Sequence, residues 1–194
     1  MANPHIFGIG VAKTGGHSLA AALAALGYSV KHLGHEGFHG RPQIAETMRR
    51  NRAAGRLACE DVDADALIDW PICDWFHLLA DHYPAARFIL TFRPPHDCAF
   101  SWVRMTNAQP GKHDGALGYA DFAHYAQRHV DEVIERFRRD PRRLLLLDMR
   151  DTDETKWKLL CGFLGKPVPA GAFPREFCHD EWQTDPTLNA EMRG

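Results

Sequence analysis

The sequence predicts an α/β fold: a single three-layer α/β/α domain spanning residues 1–194, built on a parallel sheet of about five strands. Three observations carry this expectation. Short apolar runs alternate with longer amphipathic stretches, which calls for parallel strands covered by helices on both faces. The first apolar run leads through a glycine-rich loop directly into a helical pattern. The 194 residues, 45% hydrophobic and 25% charged, suffice for one good core, and no repeat, linker or low-complexity tract marks off a second.

The elements follow in order. Ile6-Phe7-Gly8-Ile9-Gly10-Val11 is a short apolar run punctuated by glycine, the pattern of a buried strand. Leu19, Leu23 and Leu26 recur at i, i+4 and i+7 on an alanine-rich segment that Gly27 stops, which describes an amphipathic helix. A strand is expected at 28–33, a helix at 42–54, a strand near 66–70 and a helix at 73–82. The strongest strand, Arg87-Phe88-Ile89-Leu90-Thr91-Phe92, is cut off by Pro94-Pro95. A long helix at 119–139 aligns Phe122, Ala126, Val133 and Phe137 on one face, and 144–149 reads as another buried strand. Residues 107–118 have the composition of a loop over a site, and from Pro174 onward no period is visible.

A formal net charge of −2 supplies no basic field to attract nucleic acid or an acidic membrane, so any anion site must be local. The start has no cationic segment leading into an apolar one, and no apolar run approaches the ~20 residues that span a bilayer. Five cysteines, without a C-x-x-C pair, read as reduced and mostly buried thiols. These features lead us to expect a cytoplasmic protein that engages neither nucleic acid nor a membrane and whose cysteines form no zinc site; the oligomeric state stays open, a homodimer included.

The loop Lys13-Thr14-Gly15-Gly16-His17-Ser18 joins the first strand to the first helix. Such a turn offers backbone N–H groups and the positive end of a helix dipole to an anion. Lys13 adds a charge, while Thr14, His17 and Ser18 add side-chain donors. The ATP-binding pattern G-x-x-x-x-G-K-[ST] is absent, since Ala12 precedes Lys13 and Phe7 stands at its first glycine. The dinucleotide pattern G-x-G-x-x-G has Lys13 at its third glycine. Arg93 ends the strongest strand and Ser101 follows in what reads as the next helix, a guanidinium fork and a hydroxyl suited to a second phosphate. Anion sites at two strand ends imply a ligand phosphorylated at both ends.

At this point the sequence resembles the sulfotransferases that use 3′-phosphoadenosine 5′-phosphosulfate (PAPS), a family with a P-loop-NTPase-like fold. Their 5′-phosphosulfate loop is matched by Lys13 to Ser18, and their 3′-phosphate motif by Arg93 and Ser101. The chain is most similar to a subgroup of small sulfotransferases through Asp69-Trp70-Pro71, through Tyr83-Pro84-Ala85-Ala86-Arg87, and through Phe163-Leu164-Gly165-Lys166-Pro167-Val168-Pro169 followed by Phe173-Pro174-Arg175. The resemblance implies transfer of a sulfuryl group from PAPS, as co-substrate and without metal, to a hydroxyl or amine of a small acceptor. It implies a donor-binding set of Lys13, Thr14, Gly15, Gly16, His17, Ser18, Arg93 and Ser101, with Lys13 also acting on the leaving phosphate. Gly16 and His17 depart from the pattern, standing where hydroxyl residues are usual.

An acceptor hydroxyl also needs a base, and the resemblance places Asp69 where many sulfotransferases carry a catalytic histidine or acid. Glu36 is the second candidate. A carboxylate with an ordinary pKa of ~3.9 is a weak base toward an alcohol. Near Glu36, the cluster of His32, His35 and His39 is interrupted by glycines and reads as solvated or acceptor-facing, not as a metal site. Trp70, Trp75 and Trp102 are divided between core packing and a site wall, and the arginines from Arg136 to Arg143 suit a helix C-terminus. Two other functions fit the loop: a kinase-like transferase with Asp148 holding a metal ion, and a nucleotide-binding module without catalysis.

Overall fold

Along the first strand Ile6 and Phe7 leave the sheet on opposite faces, as a pleated strand requires, and each belongs to a different core. The computed structural model describes residues 5–34, 41–56, 58–107 and 117–176. In chain order the elements are β1 (Ile6–Gly8), α1 (Gly16–Ala25), β2 (Val30–His32), α2 (Arg41–Ala53), β3 (Ala66–Ile68), α3 (Phe76–His82), β4 (Arg87–Phe92), α4 (Pro95–Asn107), α5 (Tyr119–Phe137), a 3-10 turn (Pro141–Arg143), β5 (Leu144–Asp148) and α6 (Asp153–Leu164). The strands form one parallel sheet in the order β2-β3-β1-β4-β5. The fold is α/β, as expected, with five strands.

One face packs Ile6, Ile68, Ile89 and Leu147 against Leu19 and Leu23 of α1 and against Trp157 and Leu160 of α6. The other packs Phe7, Leu67, Phe88 and Leu90 against Ile44 and Met48 of α2, Phe76 and Leu79 of α3, and Val133 and Phe137 of α5. A third cluster joins Cys98 and Ala99 of α4 to Phe122 and Ala126 of α5 beneath Val11. Because the chain leaves β1 toward β2 and β3 but returns as β4 on the other side, β1 and β4 flank the switch point of the sheet. Ligands of open α/β sheets bind at the carboxyl ends of strands beside such a point.

The differences from expectation have local causes. The helix expected from residue 73 begins at Phe76, because Ile72 donates to Asp69 O (2.7 Å) and Trp75 to Pro71 O (3.1 Å) in a turn that consumes the intervening residues. The helix α6 was not among the expected elements. It is capped by Thr152, whose hydroxyl accepts from Thr155 N (3.2 Å), and it ends at Gly165 in the left-handed conformation, φ 68°. The Phe-Leu-Gly motif is thus a helix stop. Most of the expected loop at 107–118, and the tail beyond residue 176, lie outside the described residues.

Candidate active site

The loop leaving β1 is fixed from three sides. Ile9 N donates to Ile89 O (2.9 Å), and the buried His129 of α5 donates from Nε2 to Ile9 O (2.7 Å). A Cβ on Gly10 would overlap Thr91 and meet Thr14 Oγ1 at 2.6 Å, so only glycine passes there. Thr14 is 4% exposed; its hydroxyl donates to Val11 O (2.6 Å) and lies 2.8 Å from Thr91 Oγ1. A hydroxyl has one proton, so Thr91 must be the donor to Thr14. Thr14, expected to offer its hydroxyl to the ligand, spends it on the shape of the loop instead.

Lys13 adopts φ 69°, and Gly15, the N-cap of α1, adopts φ 99°. A Cβ on Gly15 would come within 2.9 Å of Met149 Cε and Cγ. No N-cap side chain closes α1, which starts after Gly15, so the N–H groups of its first turn have no partner within the helix. Ser18, in that turn, accepts from Glu176 N (3.1 Å), which leaves its own proton for donation.

Arg93 follows β4, and its Nη1 donates to Lys13 O at 3.3 Å. Ser101 lies, as expected, in the next helix, in the second turn of α4. Met105 stands one turn further on the same face. The Lys13 ammonium lies 3.7 Å from Met105 Sδ, so this face of α4 fronts Lys13.

Asp69 follows β3 with φ 76°, and its Oδ1 accepts from Trp70 N (2.6 Å) beside the cis Trp70-Pro71 bond. Among the described residues Lys13 and Asp69 are the non-glycine positions of positive φ. Such conformations cost ~1–3 kcal/mol and persist where the surroundings over-determine them, commonly at functional sites. His32 ends β2 and pairs in register with Ile68, next to Asp69. Its Nε2 lies 3.9 Å from Asp69 Oδ2, with the side chains 8% and 19% exposed. His17 stacks on His32, ring centroids 3.9 Å apart and planes 29° apart. A Cβ on Gly16 would approach His32 Nε2 to 2.8 Å, and one on Gly34 would overlap the Asp69 carboxylate.

His32 as the neighbour of Asp69 is what sequence reasoning missed. Its available signal was position, since it ends a strand parallel and adjacent to the one before Asp69. Glu36, His35 and His39 lie outside the described residues. Among the described residues no cluster of His, Cys, Asp and Glu forms a metal site, and no helix is long and apolar enough to cross a membrane.

Asp148, the metal ligand of the kinase reading, is gripped by Arg150 through Nε (3.0 Å) and Nη2 (2.6 Å), and these bonds hold its carboxyl below the usual range. Burial pushes the thiols of Cys59 and Cys98 up, to about 12 and about 11, so neither is a nucleophile at neutral pH. Trp102 stacks on Phe122 (4.7 Å) and Trp75 packs on the core, whereas Trp70 stays 43% exposed beside Asp69. Arg143 donates to Tyr83 O (2.7 Å) and Ala80 O (3.1 Å), closing the end of α3.

Comparison with known proteins adds three findings. A family model described as a sulfotransferase domain matches residues 5–117 and 105–181. No curated protein sequence matches the chain. Among solved structures, the sulfotransferase domain from the curacin biosynthetic pathway is similar with a TM-score of 0.52 at 14% identity, over 87% of this chain and 76% of that one. At that identity the likeness speaks for the fold alone.

Proposed function

Because the chain belongs to the family of sulfotransferase domains, we propose that it binds PAPS across the β1–β4 switch point and transfers the sulfuryl group to a hydroxyl or amine of a small molecule. The observation that carries this reading is the hydrogen bond of Arg93 to the carbonyl of Lys13, which makes the two anion-binding strand ends one unit. The residues suit the donor. The first turn of α1, with Ser18, offers N–H and O–H groups to the 5′-phosphosulfate; Gly15 and Gly16 let backbone approach it closely; Arg93 and Ser101 answer the 3′-phosphate.

Sulfuryl transfer, like phosphoryl transfer, asks the protein for alignment and for stabilisation of charge on the leaving oxygen. Lys13 supplies that charge at the bridging oxygen. Asp69, at the end of β3, receives the acceptor's proton. The exposed indole of Trp70 directly after it favours an acceptor with an apolar face. The kinase-like alternative is disfavoured by the pairing of Asp148 with Arg150, and the binding-module alternative is separated by turnover.

Titration calorimetry with 3′-phosphoadenosine 5′-phosphate (PAP), AMP and ATP-Mg²⁺ tests the donor assignment. PAP is expected to bind more tightly than the other two, and preference for ATP-Mg²⁺ overturns the reading. Release of PAP from PAPS tests catalysis. Lys13→Ala is expected to lower it ~10²–10³-fold, as removal of a transition-state charge partner does.

A further inference from the structure

The departures at Gly16 and His17 become intelligible once β2 is seen beside them. The space that a side chain at position 16 would occupy is taken by His32, whose Nε2 would lie 2.8 Å from a Cβ there. His17 covers the same imidazole face to face. On the far side, Gly34 has no Cβ, and only that absence leaves room for the Asp69 carboxylate. Asp69 is itself held by Trp70 N in a conformation that non-glycine residues rarely adopt. Three parallel strand ends thus converge on one pair of groups, His32 Nε2 and Asp69 Oδ2.

Resting on the sulfotransferase reading, we infer that Asp69 and His32 form a single proton-accepting unit, Asp69 as the catalytic carboxylate that touches the acceptor and His32 as the positioning residue that takes the proton on from it. The acceptor O–H bond breaks as its oxygen forms a bond to sulfur. The bond from sulfur to the bridging oxygen breaks, and its electron pair stays on the 5′-phosphate of the departing PAP beside Lys13. The proton passes to Asp69 and from there to His32 Nε2, leaving an imidazolium paired with a restored carboxylate. An imidazole is ordinarily a stronger base than a carboxylate, ~6.5 against ~3.9 for the free side chains, so handing the proton on eases the weak-base difficulty of a lone aspartate. The 3.9 Å separation is one side-chain adjustment longer than the ~2.7–3.2 Å of a direct hydrogen bond, and such contacts tighten when substrate fills the site.

Among the described residues, His17 from α1 and Asp69 from β3 meet His32; Lys31, its neighbour on β2, leaves the strand on the opposite face. The more exposed member of the pair, Asp69, is the one that an acceptor can reach, while the imidazole is shielded by His17. Gly16 and His17 are therefore a seat for His32, and a side chain at position 16 would force the imidazole to shift.

The test uses the full chain with ¹³C-labelled histidine, the His32 resonance being identified by its loss in His32→Gln. Asp69→Asn is expected to lower the His32 titration midpoint by about one pH unit, since it removes the neighbouring carboxylate; an unchanged midpoint overturns the inference. In PAP-release assays from PAPS, His32→Gln is expected to slow turnover and to abolish the acidic limb of the pH profile with PAP affinity retained. Retention of the wild-type profile overturns it. Gly16→Ser restores the hydroxyl usual in the family, and is expected to lower turnover by displacing His32, whereas a gain would mean that the loop merely lacks a donor. Failure of the wild-type chain to bind PAP would sink the sulfotransferase reading and leave the His32–Asp69 coupling to be judged by the titration alone.

Discussion

The guanidinium of Arg93 donates to the carbonyl oxygen of Lys13 at 3.3 Å, so the residue we propose for the far phosphate also holds the backbone of the residue we propose for the near one. Arg93→Ala is therefore expected to act at both ends. Its PAP affinity should fall by ~1.5–3 kcal/mol, roughly ten- to a hundredfold. With the guanidinium proposed as the partner of the 3′-phosphate, the preference for PAP over AMP should largely vanish. Calorimetry with both nucleotides checks this, and a variant that weakens PAP and AMP equally contradicts it.

Gly15 and Gly27 both have positive φ, 99° and 88°, but differ in their surroundings. A Cβ on Gly15 would press on Met149 at 2.9 Å, while one on Gly27 would meet nothing within 4 Å. Gly27→Ala should cost only the conformational penalty, ~1–2 kcal/mol. Gly15→Ala should cost more in denaturant unfolding and should weaken PAP binding, which Gly27→Ala leaves intact.

Thr14 and Thr91 share a hydrogen bond at 2.8 Å with both side chains buried. Thr14→Val is expected to lose ~1–3 kcal/mol of stability by leaving Thr91 Oγ1 without its acceptor and Val11 O with only the longer bond from the backbone N of residue 14 (3.3 Å). Thr14→Ser should lose much less. A double-mutant cycle with Thr91→Val should give a coupling of ~0.5–3 kcal/mol, and additivity would contradict the shared proton arrangement.

His129 is 4% exposed, and burial lowers its pKa, with the bond to Ile9 O, Asp74 and Glu132 opposing and His77 adding. The folded state thus binds this proton less readily than the unfolded chain. Its contribution to stability is full above the unfolded value of ~6.5 and is lost as pH falls below it. Melting temperatures between pH 8 and pH 5.5 should drop more steeply for the wild type than for His129→Gln, which keeps a donor for Ile9 O without the titration.

What could be read from the sequence was local. The strand Arg87–Phe92 was legible at both ends, because a strongly apolar β-forming run stops at Pro94-Pro95. Lys13 and Arg93 were legible as strand-end cations. The pairings Thr14 with Thr91 and His32 with Asp69 were not, since each depends on which strands lie side by side, and the β2-β3-β1-β4-β5 order is a property of the whole fold. Ser101 was legible as part of the helix after Pro94-Pro95, and the sequence did not show which turn of α4 carries it. The helix α6 was legible and overlooked: Thr152 begins it, Trp157, Leu160 and Cys161 recur on its buried face, and Gly165 ends it.

The bonds that shape the loop after β1 tie it to Thr91, Arg93, His129 and Glu176, which lie 77, 80, 120 and 158 residues along the chain from their partners. Contacts of such sequence separation form late, because chain closure is costly until the rest of the fold holds the ends together. A growing polypeptide on the ribosome would therefore have the loop after β1 fixed only after α5 and the segment behind α6 have emerged. Under the proposed donor assignment, capture on immobilised PAP would report that the chain through Glu176 has folded into place.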